Sequence, residues 1–204
     1  MKKIGWVIFG VFSVLVGVYP VLYGLVDMSQ GFLGGKTDEL LNSSVWNWLF
    51  YQHISMGAIS MLTGWTQFSK KLRAKNINLH RTLGKIYVFS VLLSGSAGLY
   101  LSFFATGGII AGFGFGTMAV LWLSTTVMAF LTIKRGEVAA HQNWMIRSYA
   151  LCWAAVTLRL WLPGLQAFGG MEFISAYLLV SWLCWVPNLA VAEMFFIRSS
   201  VNKA

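Results

Sequence analysis

His80-Arg81-Thr82-Leu83-Gly84-Lys85-Ile86-Tyr87 marks the point where a basic loop becomes a long apolar segment. The stretch His141-Gln142-Asn143-Trp144-Met145-Ile146-Arg147-Ser148-Tyr149 repeats the plan. Each has a histidine, then a cation (Lys85 or Arg147), then a tyrosine two residues after that cation. Each follows a turn containing Lys or Arg and opens an apolar run. A basic turn recurring at the start of an apolar run is what a chain folded back and forth across a bilayer requires.

The composition agrees. Of 204 residues, 57% are hydrophobic and only 10% charged, and the mean hydropathy is +0.69. A soluble domain of this length carries far more charge. The 10 Trp, 15 Phe and 7 Tyr suit interfacial belts as well as lipid-facing and packed surfaces. A net charge of +9 does not point to nucleic acid, because the cations lie in short loops between apolar runs. Cys152 and Cys184 fall inside apolar runs and imply neither a disulfide framework nor a Cys-based metal site.

Outward from the two histidine stretches, six spans are expected, at about residues 4–26, 46–68, 79–105, 109–133, 141–162 and 173–197. The first follows Lys2 and Lys3 and is too long for the core of a signal peptide. It reads as an uncleaved helix, kinked at Pro20. Residues 27–44, with Gly31, Gly34, Gly35, Asp38 and Glu39, read as an external loop. On the second span His53, Gly57, Ser60, Gly64 and Gln67 share one protein-facing side. On the third, His80, Gly84, Tyr87, Ser94, Gly98 and Ser102 do the same. Five glycines between Gly107 and Gly116 open the fourth, whose outer half is expected to pack tightly. Along the fifth, His141, Met145, Ser148, Cys152, Ala155 and Arg159 share a face, and Pro163 and Gly164 are expected to stop it. The sixth contains Pro187, Asn188 and Glu193.

The cations set the orientation. Lys2, Lys3, the six from Lys70 to Lys85, Lys134, Arg135, Arg147, Arg198 and Lys203 fall on one side, and only Lys36 falls on the other. The Lys/Arg-rich side is cytoplasmic. The expected fold is therefore a single all-α integral membrane domain of six helices, with a central four-helix bundle from helices two to five. Both termini are cytoplasmic. Helices two to three and four to five form hairpins of like plan, which would set His80 opposite His141.

Imidazoles on facing helices can supply both axial positions of a haem iron. His80 and His141 suit this by depth, Gly84 would leave room for a flat macrocycle, and Arg81, Lys85 and Arg147 would pair with propionates. The plain alternative is that these are interfacial histidines and the cations only set topology. His53 lies roughly 20 Å from Gln67 along its helix, too far in depth to join the pair. It marks an outer quinone, proton or second-cofactor site, or more commonly a buried histidine bonded to a neighbouring helix. Arg159 is costly inside a membrane, about 2.5–3.5 kcal/mol at a helix centre. It either snorkels past Pro163 or turns inward to an anionic or hydrogen-bonding partner. Glu193 is placed to pair with Arg147 or His141, or to reach interfacial water.

The residues His80-Arg81-x-x-Gly84-Lys85-x-Tyr87 and Trp144-Met145-Ile146-Arg147-Ser148-Tyr149-Ala150 resemble a bacterial family of predicted membrane proteins, domain of unknown function 2306. Leu158-Arg159-Leu160 and Trp185-Val186-Pro187-Asn188-Leu189 also look like its pattern, and the resemblance runs from about residue 46 to 193. It implies a multi-pass membrane protein and no particular mechanism. In architecture the chain is also similar to six-helix, ascorbate-type transmembrane cytochromes b. Those hold two haems between helices two and four and helices three and five. His80 and His141 fall on helices three and five, but helix four has no histidine and offers Gly114 at that depth. The likeness implies at most one bis-histidine haem.

The leading expectation is a b-type haem electron carrier or membrane oxidoreductase subunit in a bacterial cytoplasmic (inner) membrane. Its partners would be the lipid bilayer, a quinone or redox protein and a second copy of the chain. The rival is a non-enzymatic small transporter or structural membrane protein without cofactor. No metalloprotease, phosphate-binding or nucleophile motif is present.

Overall fold

A computed structural model describes residues 3–24, 33 and 36–197, which contain helices and turns and no strand. Expectations that rest on Lys2, Asp27, Gly31, Gly34, Gly35, Arg198 and Lys203 lie outside the described residues. The chain divides into two compact units, Met1–Leu101 and Ser102–Ala204.

In the first unit, α1 (Lys3–Val18) passes into a 3-10 turn over Tyr19–Gly24, where Pro20 was expected to bend it. A short α2 (Asp38–Leu41) is capped by Thr37, whose hydroxyl accepts from the Leu40 amide. Ser43 caps α3 (Ser44–Gly64) in the same way. α1 packs on α3, and its aromatic rings meet the residues just beyond it, with Trp6 5.8 Å from Trp65 and Phe9 6.1 Å from Phe68. A 3-10 turn (Trp65–Phe68) leads into α4 (Lys70–Lys75), capped by Ser69, and then α5 (Ile77–Ser102). The Asn76 side chain accepts from the Leu79 amide and fixes the corner between them. The loop expected between the second and third spans is thus a short capped helix.

In the second unit, α6 (Gly108–Lys134) starts after Gly107, whose φ of 90° reverses the chain. α7 (Val138–Cys152) packs antiparallel on it, joined by a Thr126–Ser148 hydroxyl pair at 2.6 Å. Trp153 interrupts the helix, and α8 (Ala154–Ala167) continues beyond. α9 (Phe173–Leu183) is followed by a turn at Cys184–Trp185 and by α10 (Val186–Val191). The chain then winds as a π-helix over Ala192–Ile197.

Among the described residues four helical stretches are long and apolar enough to cross a membrane: Ile4–Leu22, Ile77–Ser102, Gly108–Lys134 and Phe173–Ile197. The helix expected as the second span is α3, which has the length at 21 residues but, diluted by Asn47, Gln52 and His53, is not apolar enough to join those four. The fifth is split into α7 and α8, of 15 and 14 residues, so neither piece is long enough alone.

Two boundary expectations are corrected. Pro163 does not stop the fifth helix, which runs to Ala167. The stop falls further on, near Gly170, which takes a φ of 61° that only glycine adopts freely. Pro187 does not lie inside a continuous sixth helix. It occupies the first turn of α10, where its missing N–H costs no hydrogen bond. The tight packing expected of the fourth span's glycines is present. A Cβ on Gly114 would lie 2.8 Å from the Ser181 carbonyl oxygen, and one on Gly112 2.9 Å from that of Ser102.

Candidate functional site

The interruptions at Trp153 and at Cys184–Trp185 meet in one polar seam within the second unit. The Asn188 carboxamide donates to the Cys184 carbonyl at 2.9 Å, to the Thr157 hydroxyl at 3.1 Å and to the Ala150 carbonyl at 3.2 Å. Thr157 in turn donates to the Cys184 carbonyl at 2.5 Å. The Ser181 carbonyl, one turn earlier, receives the Trp185 indole N–H at 3.0 Å. A carbonyl released from the helix ladder inside hydrocarbon is tolerated only where protein or water satisfies it again. Side chains from both interrupted segments do that here. An open apolar groove of Leu160, Trp161, Gly164, Leu165 and Phe168 runs along α8 and includes Thr157.

One α-helix later, the π-helix presents Glu193 to α7. Arg147 holds it bidentately, Nε to Oε1 at 2.5 Å and Nη2 to Oε2 at 3.0 Å. The guanidinium also stacks over Trp144, 4.7 Å from the ring centre. Of the two partners expected for Glu193, it is Arg147 that pairs with it. π-turns inside helices gather at functional positions.

The histidines have separate settings. His141 lies at the start of α7 and directs Nδ1 to the Ala129 carbonyl at 2.7 Å. A carbonyl only accepts, so Nδ1 carries the proton, and a neutral ring keeps its lone pair on Nε2. His53 points Nδ1 at the Ser94 carbonyl, 2.9 Å away, while the Ser94 hydroxyl donates to the His53 carbonyl. It is a histidine bonded to a neighbouring helix. His80 lies on the protein-facing side of α5 with Gly84 and the buried Tyr87.

The room expected over Gly84 is not free. The Gln67 side chain fills it, its Oε1 3.1 Å from where a Cβ would stand. The reason is local. The 3-10 turn after α3 rotates Gln67 inward, and this buried amide needs a helix surface without a side chain to lie on. Arg81 and Lys85 are exposed and lie about 100° and 140° round α5 from His80. Arg159 is half-buried and donates from Nη1 to the Ala155 carbonyl at 2.9 Å. Its guanidinium therefore turns back along α8, away from the Pro163 end. Among the described residues no three His, Cys, Asp or Glu side chains are grouped to hold a metal ion.

Residues 50–196 match the family model for predicted membrane proteins named DUF2306. The chain belongs to that family. No curated protein and no solved structure matches it. For this DUF2306 chain the membrane character, the uncharacterised family and the run of apolar helices rest on concordant observations. Sequence reasoning missed Thr157 and the turn at Cys184–Trp185. Asn188 beside Pro187 was a usable signal, since a carboxamide next to a helix breaker in an apolar run has carbonyls to satisfy.

Proposed function

We propose that the protein is a six-span transporter of small uncharged polar solutes, with both termini cytoplasmic, in a bacterial cytoplasmic membrane. The observation that carries this reading is the seam where two interrupted helices meet on Thr157 and Asn188. Interrupted helices that expose carbonyls near the middle of a span are the form in which membrane transporters build binding sites. A hydroxyl, a carboxamide and main-chain carbonyls, with no ionised group among them, suit a neutral solute. The π-helix and its Arg147–Glu193 pair supply a second irregular element that can re-pack as the site opens.

Stopped-flow light scattering on proteoliposomes tests it, using osmotic gradients of urea, glycerol and erythritol. At least one solute should equilibrate faster than in protein-free liposomes, and Thr157→Val with Asn188→Leu should abolish the difference. Protein-free rates for every solute would overturn the reading. Reporter fusions after Lys203 and near Asn76 should read cytoplasmic, and one near Gly34 external. The opposite signals would invert the orientation.

A second reading is favoured by His141, whose Nδ1 bond to a main-chain carbonyl is the arrangement that leaves Nε2 ready for a metal. In it the chain carries b-type haem for electron transfer. His80 and His141 are the axial ligands, and Arg81, Lys85 and Arg147 receive the propionates. It ranks second because Gln67 covers Gly84 and Glu193 already holds Arg147. Protein made with ample haem would show sharp ferrous bands that His80→Ala and His141→Ala each remove. Colourless protein would end this reading.

A further inference from the structure

We propose that α5 binds an anionic phospholipid, with the headgroup phosphate on Arg81 and Lys85 and an acyl chain along Phe89 and Leu92. The four residues lie on one stripe of the helix, and all are exposed, Phe89 at 61% and Leu92 at 37%. The opposite side carries Gly84 and the buried Tyr87, Val91 and Ser94, and packs against protein. The stripe is therefore the one that faces lipid. It requires only that α5 cross the bilayer, for which its length and composition suffice.

Depth supports the assignment. Twenty-six residues span about 39 Å, against roughly 30 Å of hydrocarbon, so about 9 Å of α5, less than two turns, is left to lie among headgroups. Arg81 and Lys85 stand about 6 Å and 12 Å from the helix start, one turn apart. With that surplus at the basic end, Arg81 falls among the headgroups and Lys85 just inside the hydrocarbon edge, from where its long stem reaches back to the phosphate plane while its methylenes cover apolar surface. The first acyl-facing aromatic, Phe89, follows one turn further in.

The sequence around these cations is free of acids. No Asp or Glu occurs between Glu39 and Glu137. Among the described residues neither Arg81 nor Lys85 makes an ion pair, and the exposed Lys70, Lys71 and Lys75 of α4 add to the field just before them. Topology alone needs cations on the cytoplasmic side. It does not need two of them in register on the lipid stripe with apolar rings below.

The test uses the whole protein in detergent and native mass spectrometry with palmitoyl-oleoyl phosphatidylglycerol and its phosphatidylcholine counterpart. Two juxtamembrane cations predict a preference of about 30-fold for phosphatidylglycerol. Arg81→Gln with Lys85→Gln should reduce it to a few-fold, whereas Lys134→Gln with Arg135→Gln, at the other basic turn, should not. Equal retention of the two lipids, or equal loss in both variants, would overturn the proposal. So would displacement by millimolar inorganic phosphate, which would assign the cations to a soluble anion. If the double variant does not fold, the wild type still decides. Phosphatidylglycerol with a photoreactive group in its acyl chain should label the peptide containing Phe89 and Leu92, and labelling spread evenly over α1 and α5 would contradict the site.

Discussion

His53 and Ser94 hold each other reciprocally: the imidazole Nδ1–H donates to the Ser94 carbonyl, and the Ser94 hydroxyl donates to the His53 carbonyl, each at 2.9 Å. Gln52 adds a bond to the preceding carbonyl, that of Leu93. This joins α3 to α5 through side-chain to main-chain hydrogen bonds. Ser94→Ala should cost about 1 kcal/mol, the loss of one hydrogen bond. Gly98→Ala should cost more, about 1–3 kcal/mol, because its Cβ would meet the His53 ring at 2.9 Å. Denaturant titration in detergent reads both.

Glycines at close approaches should differ according to what they meet. A Cβ on Gly114 would strike the Ser181 main chain at 2.8 Å, whereas one on Gly17 would meet the Leu62 side chain, at Cγ and Cδ2, at 2.7 Å, and a side chain can change rotamer where a main chain cannot move. Gly114→Ala should lower the melting temperature by several degrees and Gly17→Ala by much less. Gly164→Ala, with nothing within 4 Å, should be neutral or raise it, since helical glycine costs about 0.5–1 kcal/mol against alanine.

The Arg147–Glu193 pair should be worth about 1 kcal/mol, because the bidentate geometry is good but Glu193 is 40% exposed. A double-mutant cycle of Arg147→Gln and Glu193→Gln measures it. The coupling should shrink as salt rises, and a salt-independent value would indicate packing rather than charge.

Much of the architecture was legible because helix faces follow from spacing. His53, Gly57, Ser60, Gly64 and Gln67 do face protein, and Tyr87, Ser94 and Gly98 do line the packed side of α5. Spacing says nothing of where a ladder is interrupted. The turn at Cys184–Trp185 depends on donors from Thr157 and Asn188, 31 residues apart in sequence. Gly84 shows the same limit, since a missing side chain marks a close approach without naming what approaches. Gln67 was placed on the correct face, yet its reach to Gly84 depends on the 3-10 turn.

Asn188→Leu should destabilise by about 1–3 kcal/mol, because the Cys184 and Ala150 carbonyls each lose a donor. Thr157→Val should cost a similar amount alone and less in the Asn188→Leu background, since the two side chains share one acceptor. Strict additivity would mean that they act separately.

Water access to the seam decides between a transport site and a structural junction. With Cys152 and Cys184 replaced by alanine, Thr157→Cys is treated in sealed vesicles with a membrane-impermeant thiosulfonate, beside Phe113→Cys on an exposed apolar position and Gly136→Cys in a turn. A transport site predicts that Thr157→Cys reacts from at least one side of the membrane, far faster than Phe113→Cys. Reaction no faster than Phe113→Cys from both sides would rule out a transport site and leave the seam as a repair of two interrupted helices.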